Sequence, residues 1–170
     1  MHPAEIEACL DSMVVLVDTR EQPSDRAKKR YETFGVPWKR QKLDYGDYSA
    51  EFTISNAPIM VNAVIERKMN LDELATCFTR DRKRFKAEFE RAVLDNASVY
   101  LMVEDASWEN LINGRYRSKF NPTAFLASIT AWMVRYNLKV IFCKHETSGR
   151  LIKEILYREM KQELESGRYG

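Results

Sequence analysis

Two short, unbroken apolar runs, Met13–Val17 and Val99–Val103, restrict the fold more than any other feature of this chain. A run without a polar face reads as a strand covered on both sides, and runs this short cannot cross a bilayer. The strands are expected over Met13–Asp18 and Ser98–Glu104, with Leu138–Cys143 as a third buried strand. Helical segments follow them. Ser24–Phe34 reads as a helix closed by Gly35, Asp81–Leu94 as a charged amphipathic one, and Ser148–Glu163 as the last. Asn70 is placed to N-cap a helix through Phe78, Trp108–Ile112 reads as a short helix, and Asn121-Pro122 opens one to Tyr136. Val36–Leu43, Tyr48–Ser55 and Ile59–Lys68 read as further strands, the last two hairpin-paired across Asn56-Ala57-Pro58. This order predicts an α/β sandwich with a mixed central β-sheet flanked by helices.

At 170 residues the chain suits one domain, expected over 13–165 with residues 1–12 as an N-terminal extension. Apolar residues at 45% and charged residues at 31% match a folded globular protein. The start, Met1-His2-Pro3-Ala4-Glu5, lacks the features of a signal peptide, and Cys9, Cys77 and Cys143 form neither a disulfide framework nor a CxxC knuckle. The cytoplasm is the expected location, with no membrane partner. His2 and His145 have no metal-ligand spacing with the cysteines, which argues against zinc.

The net charge of +2 says less than its distribution. Basic clusters occur at Arg26–Arg30 with Lys39, Arg40 and Lys42, and at Arg80–Lys86. No acid lies between Glu109 and Glu146, where Arg115, Arg117, Lys119, Arg135, Lys139 and Lys144 fall. Any one cluster reads as a solvated face, but the set beside clustered acids points to a polyanion. Asn113–Asn121 interleaves Arg115, Arg117 and Lys119 with Tyr116 and Phe120. Such a loop either binds phosphates and stacks bases or tucks its rings inward.

Acids gather where strands end: Asp18 and Glu21, Asp47 after Gly46, Glu66, and Asp72. On a strand, residues two apart share a face, so Glu66 and Lys68 project together. Hard divalent ions take oxygen ligands, and a lysine stabilises negative charge developing on phosphate, so this set suffices for metal-assisted phosphodiester hydrolysis. An ExK tripeptide alone is weak; the whole arrangement is not.

Gly46-Asp47, Glu66-Arg67-Lys68 and Asp72 reproduce the GD…ERKxxxD signature, and the chain resembles the XPF-type nucleases of the restriction-endonuclease-like superfamily. Val17–Glu21 resembles that family's first-strand VDxRE segment. Arg82, Phe85 and Glu88 resemble its helix after the catalytic strand, and Leu138–Leu156 its last strand and helix. The resemblance implies a restriction-endonuclease-like three-layer sandwich acting on branched DNA such as flaps, forks and junctions. It implies Asp18, Asp47 and Glu66 as metal carboxylates for Mg2+, with Mn2+ as a substitute. It also implies Lys68 as catalytic together with Glu66, Asp47 and Arg67, with Glu21 and Asp72 in support. Arg82, Arg115, Arg117 and Lys119 are the expected DNA contacts. The long interval from Asp47 to Glu66 implies an extended hairpin around Ala50–Val61. The nuclease domain is expected to stand alone, without a hairpin-motif or helicase module, which leaves substrate preference open. The competing reading is a non-catalytic DNA-binding or scaffold subunit. A homodimer is expected through Asn121–Leu156, where Phe125, Ile129, Trp132 and Tyr136 form a stripe that Leu126, Met133 and Leu151 extend.

Overall fold

The computed structural model describes residues 1–169. Along the chain come α1 (Pro3–Asp11), β1 (Val14–Val17), α2 (Asp25–Glu32), β2 (Trp38–Arg40), β3 (Tyr48–Ile54), β4 (Ala57–Met60) and β5 (Ala63–Lys68). They are followed by α3 (Leu71–Phe78), α4 (Arg82–Leu94), β6 (Ser98–Glu104), α5 (Trp108–Ile112), α6 (Pro122–Arg135), β7 (Lys139–Cys143) and α7 (His145–Glu165). The strands form a mixed seven-stranded sheet in the order β2-β1-β3-β5-β6-β7, with β4 paired to β3. The expected α/β class holds. The chain divides into two compact units, Met1–Val64 with Gly149–Gly170, and Ile65–Ser148.

In the first unit β1 runs parallel to β2, with Val15 opposite Trp38, and antiparallel to β3, with Val17 opposite Tyr48. Val15, Leu16 and Val17 are wholly buried, as an unbroken apolar run requires. Within residues 1–12, His2 and Glu5 form a capping box on α1, and Cys9 and Leu10 are buried. Val36–Leu43 yields only the three-residue, exposed β2. Ile59–Lys68 is two strands, and the hairpin turns at Ser55-Asn56, not at Asn56-Ala57-Pro58. Both turn residues have positive φ, 49° and 65°, the conformation of the tight two-residue hairpin turn. Pro58 sits inside β4, which pairs with β3.

In the second unit β6 and β7 run parallel, with Glu104 opposite Cys143. β6 is buried as expected, whereas every residue of β7 is only half-buried. Asn70 and Asn121 cap α3 and α6 through side-chain oxygens, as their positions predict. The core centres on Trp132, whose ring lies 4.8, 5.2 and 5.3 Å from those of Phe78, Phe85 and Phe89. Phe125, Ile129, Trp132 and Tyr136 are therefore core residues, 0 to 9% exposed. That corrects their reading as a surplus stripe available to a partner. Among the described residues no helix is long and apolar enough to cross a membrane.

Candidate active site and nucleic-acid interface

The first unit presents Asp18 and Asp47 from adjoining chain ends. The N–H of Asp18 donates to the carbonyl of Asp47 at 2.8 Å, which ties the end of β1 to the start of β3. Gly46, with φ +75°, lets the chain turn just before Asp47, whose side chain is half-buried. Asp18 is wholly buried. Its Oδ1 accepts from the N–H of Leu43 at 2.7 Å, and its Oδ2 from the N–H and Nε of Arg20 at 3.1 and 2.5 Å. Burial pushes the Asp18 carboxyl up, but the bonds from Leu43 and Arg20 together outweigh it and leave its pKa below the usual carboxylate value.

Glu21 does not join these acids at a water-facing edge. Its carboxylate accepts from Tyr31 Oη at 2.7 Å, from Tyr48 Oη, and from Arg30 Nη1 at 3.3 Å. Arg30 is 3% exposed, so this member of the first basic cluster is an internal cation. Burial and then Glu21 hold the Tyr31 phenol well above its usual pKa, so it stays a donor.

The second unit carries the acid-x-lysine pair. Lys68 Nζ lies 2.8 Å from Glu66 Oε1, as the strand period predicts, and 3.9 Å from Glu73 Oε1. The ammonium also sits 5.2 Å from the centre of the Phe85 ring. Between them, Arg67 reaches Glu104 at 2.5 Å, and Glu104 is wholly buried at the end of β6. Glu104 is the functional-looking acid that sequence reasoning passed over. The signal that marks Asp18, an acid closing a buried strand, was available for it too. Burial pushes the nearby Cys77 thiol up, which makes it an inert core thiol.

Asp72, the last acid of the motif, turns to the basic loop. Its Oδ1 accepts from the backbone N–H groups of Arg117 and Ser118 at 2.8 and 2.7 Å. The loop alternates: Arg115, Arg117 and Lys119 are exposed, while Tyr116, Ser118 and Phe120 turn inward. Phe120 stacks on Phe125 with centroids 5.1 Å apart, Tyr116 meets the same ring at 5.5 Å, and Tyr116 Oη donates to the carbonyl of Phe120 at 2.6 Å. The two rings pack on Phe125 and are half-buried, and the three cations are exposed. Arg82 is exposed in the first turn of α4, its guanidinium 5.8 Å from the Trp132 ring centre. Asp105, His145 and Glu146 bring ligand atoms within 4.8 Å of one another, all exposed, with His145 Nδ1 3.1 Å from Asp105 Oδ2.

The family model described as the ERCC4 domain matches residues 17–155. Among solved structures, the chain is similar to XPF from Aeropyrum pernix, with TM-score 0.60 and 22% identity over 84% of this chain and 64% of that one. It is similar also to XPF from Aeropyrum pernix in complex with DNA, with TM-score 0.61 and 22% identity over 88% and 65% of the respective chains. The fold is thus the restriction-endonuclease-like one of those structures, and the chain spans somewhat under two thirds of their length. No curated protein matches this chain.

Proposed function

Because this chain belongs to the ERCC4-domain family, we propose that it is a divalent-metal-dependent DNA endonuclease that hydrolyses phosphodiester bonds in branched or single-strand-containing DNA. The observation that carries this reading is the Glu66–Lys68 pair at the end of β5, held at 2.8 Å. Burying an ion pair costs desolvation energy, so a non-catalytic scaffold gains little from maintaining one at a strand end.

Mg2+ needs only one or two protein carboxylates and takes the rest of its shell from water and phosphate. Asp47, half-buried after the Gly46 turn, and Glu66 are carboxylates of the kind that would hold it. When bound, such an ion would help ionise the attacking water and would stabilise charge on the phosphate. Asp18, whose Oδ2 is taken up by Arg20 and whose Oδ1 accepts from Leu43, would reach such an ion through the second lone pair of Oδ1, and its N–H orients the chain that carries Asp47. Lys68 is aimed by Glu66, and its role is to donate to phosphate oxygens as their charge grows. Arg67, held by Glu104, fixes the strand end on which both sit. Arg82, Arg115, Arg117 and Lys119 supply phosphate contacts, which hold the duplex without reading its sequence. Cys9, Cys77 and Cys143 are thiols not joined in disulfides, which suits the cytoplasm. Assembly as a homodimer belongs to the same reading, through the outer face of α6.

The test is cleavage of labelled duplex, single strand, flap, fork and four-way junction by the purified protein. Mg2+ or Mn2+ should support cutting, EDTA should stop it, and Ca2+ should allow binding without efficient turnover. Lys68→Ala and Asp47→Ala should abolish cleavage with DNA affinity largely kept, and Lys68→Ala, which takes the ammonium away from the buried Glu66 carboxylate, should also lower the thermal midpoint. Full activity in EDTA overturns the metal reading, and unimpaired cutting by Lys68→Ala removes the lysine from the chemistry.

A further inference from the structure

We propose that Asp72 is a positioning residue that clamps the loop Arg115–Lys119, so that its three outward cations meet the DNA backbone. It serves the grip on substrate rather than the metal. The phosphate ligand rests on the endonuclease reading; the clamp itself does not.

Asp72 is the second residue of α3, and its Oδ1 receives two neighbouring backbone N–H groups, from Arg117 at 2.8 Å and Ser118 at 2.7 Å. A carboxylate oxygen has two lone pairs, and both of these are spent on the loop. Bonds to a charged acceptor are roughly twice as strong as neutral ones, so this is the firmest tie the loop makes. The other ties lie to either side. The Arg115 N–H donates to the Asn110 carbonyl at 2.8 Å, and the Phe120 N–H to Ser118 Oγ at 3.1 Å. Gly114, with φ +65°, turns the chain into the loop, and the Asn121 side chain caps α6 at its exit.

With its ends and centre fixed and Tyr116 and Phe120 turned inward, the loop has one direction left for Arg115, Arg117 and Lys119. Three exposed cations on a backbone that cannot collapse onto itself are preorganised for a polyanion, and preorganisation lowers the ordering cost of binding. Both rings of the loop pack on Phe125 and are half-buried while its three cations are exposed, so the partner it fits best is the sugar–phosphate backbone. The same carboxylate, four residues after Lys68, therefore ties the segment that carries the chemistry to the segment that grips.

Two substitutions separate this role from a direct one. Asp72→Asn keeps an oxygen that accepts both N–H groups, whereas Asp72→Ala removes it. Hydrogen exchange at the Arg117 and Ser118 amides reads the clamp without DNA. These amides should be protected in the unsubstituted protein and in Asp72→Asn, and exposed in Asp72→Ala. Binding of a flap duplex in Ca2+ across salt concentrations reads the consequence. Asp72→Ala should lower the log–log salt slope by about 1 to 3, toward that of the Arg115→Ala/Arg117→Ala/Lys119→Ala variant. Added to that triple variant, it should cost nothing more. In Mg2+, Asp72→Ala should raise KM with kcat largely kept, and Asp72→Asn should restore KM. Loss of turnover by Asp72→Asn at saturating DNA, with both amides still protected, overturns the proposal in favour of a direct role. So do protected amides in Asp72→Ala, or affinity losses that add to the triple variant's. An unsubstituted protein that binds no DNA sinks the endonuclease reading and the phosphate role together, while exchange still decides the clamp.

Discussion

A carboxylate wholly out of water stays charged only while donors surround it, and Asp18 depends on two residues for this, Leu43 and Arg20. Since their bonds put its pKa below the usual value, the unfolded chain binds its proton more readily than the folded one. The stability this group contributes is therefore full above about pH 4, the ordinary carboxylate value, and is lost as pH falls through its lower folded pKa. Asp18→Asn should be less stable at neutral pH, because an amide N–H would face the donors of Arg20. Its urea midpoint should also fall less steeply with acid than that of the unsubstituted protein. An unchanged acid slope would remove Asp18 from the acid sensitivity. The pairing of Glu66 with Lys68 was legible because strand period alone fixes which side chains share a face. The destinations of Glu21 and Glu104 were not, since they depend on Tyr31, Tyr48 and Arg67, whose approach is set by packing.

Among the elements, α7 shows where a local rule gives the wrong sign. Gly149 lies inside this helix, and by helix propensity its replacement by Ala should stabilise by about 1 kcal/mol. A Cβ there, however, would stand 2.0 Å from Thr33 Oγ1 and 2.4 Å from the Arg30 carbonyl. The backbone of α2 cannot yield as a flexible side chain could, so Gly149→Ala should cost about 1–3 kcal/mol through overpacking. Thermal denaturation should show a lower midpoint, and a rise would mean that the two helices separate freely. Helix positions were legible from caps and apolar spacing, as Asn70, Asn121 and the buried Ile152, Leu156 and Met160 show. The start of α7 at His145 and the turn at Ser55-Asn56 were not. A Ser-Asn pair carries a weaker turn signal than Asn-Gly, and Pro58 looked like the turn although β4 accommodates it.

Assembly is where the sequence misled most, because an apolar stripe does not say which of two apolar surfaces it covers. Phe125, Ile129, Trp132 and Tyr136 are buried within the second unit, and Phe125 in particular is wholly enclosed. Its substitution would report on the core. The opposite face of α6 is the more informative one. Ala124, Ala127, Ala131 and Val134 are all exposed, at the three- and four-residue spacing of a single helical seam. The helix carries no charge before Arg135, and Val134 is 87% exposed. A solvent-facing helix ordinarily shows charged or polar residues outward, and an uncharged seam of small side chains allows a second helix to approach closely. If the protein is the proposed homodimer, Ala131→Glu places a charge in that seam. Glutamate is a good helix former, so the monomer fold should tolerate it. Light scattering at micromolar concentration should give twice the 19.9 kDa chain mass for the unsubstituted protein and a single chain mass for Ala131→Glu, with helical content unchanged. A single-chain mass for the unsubstituted protein would remove the homodimer, and a dimer that survives Ala131→Glu would move its interface away from α6.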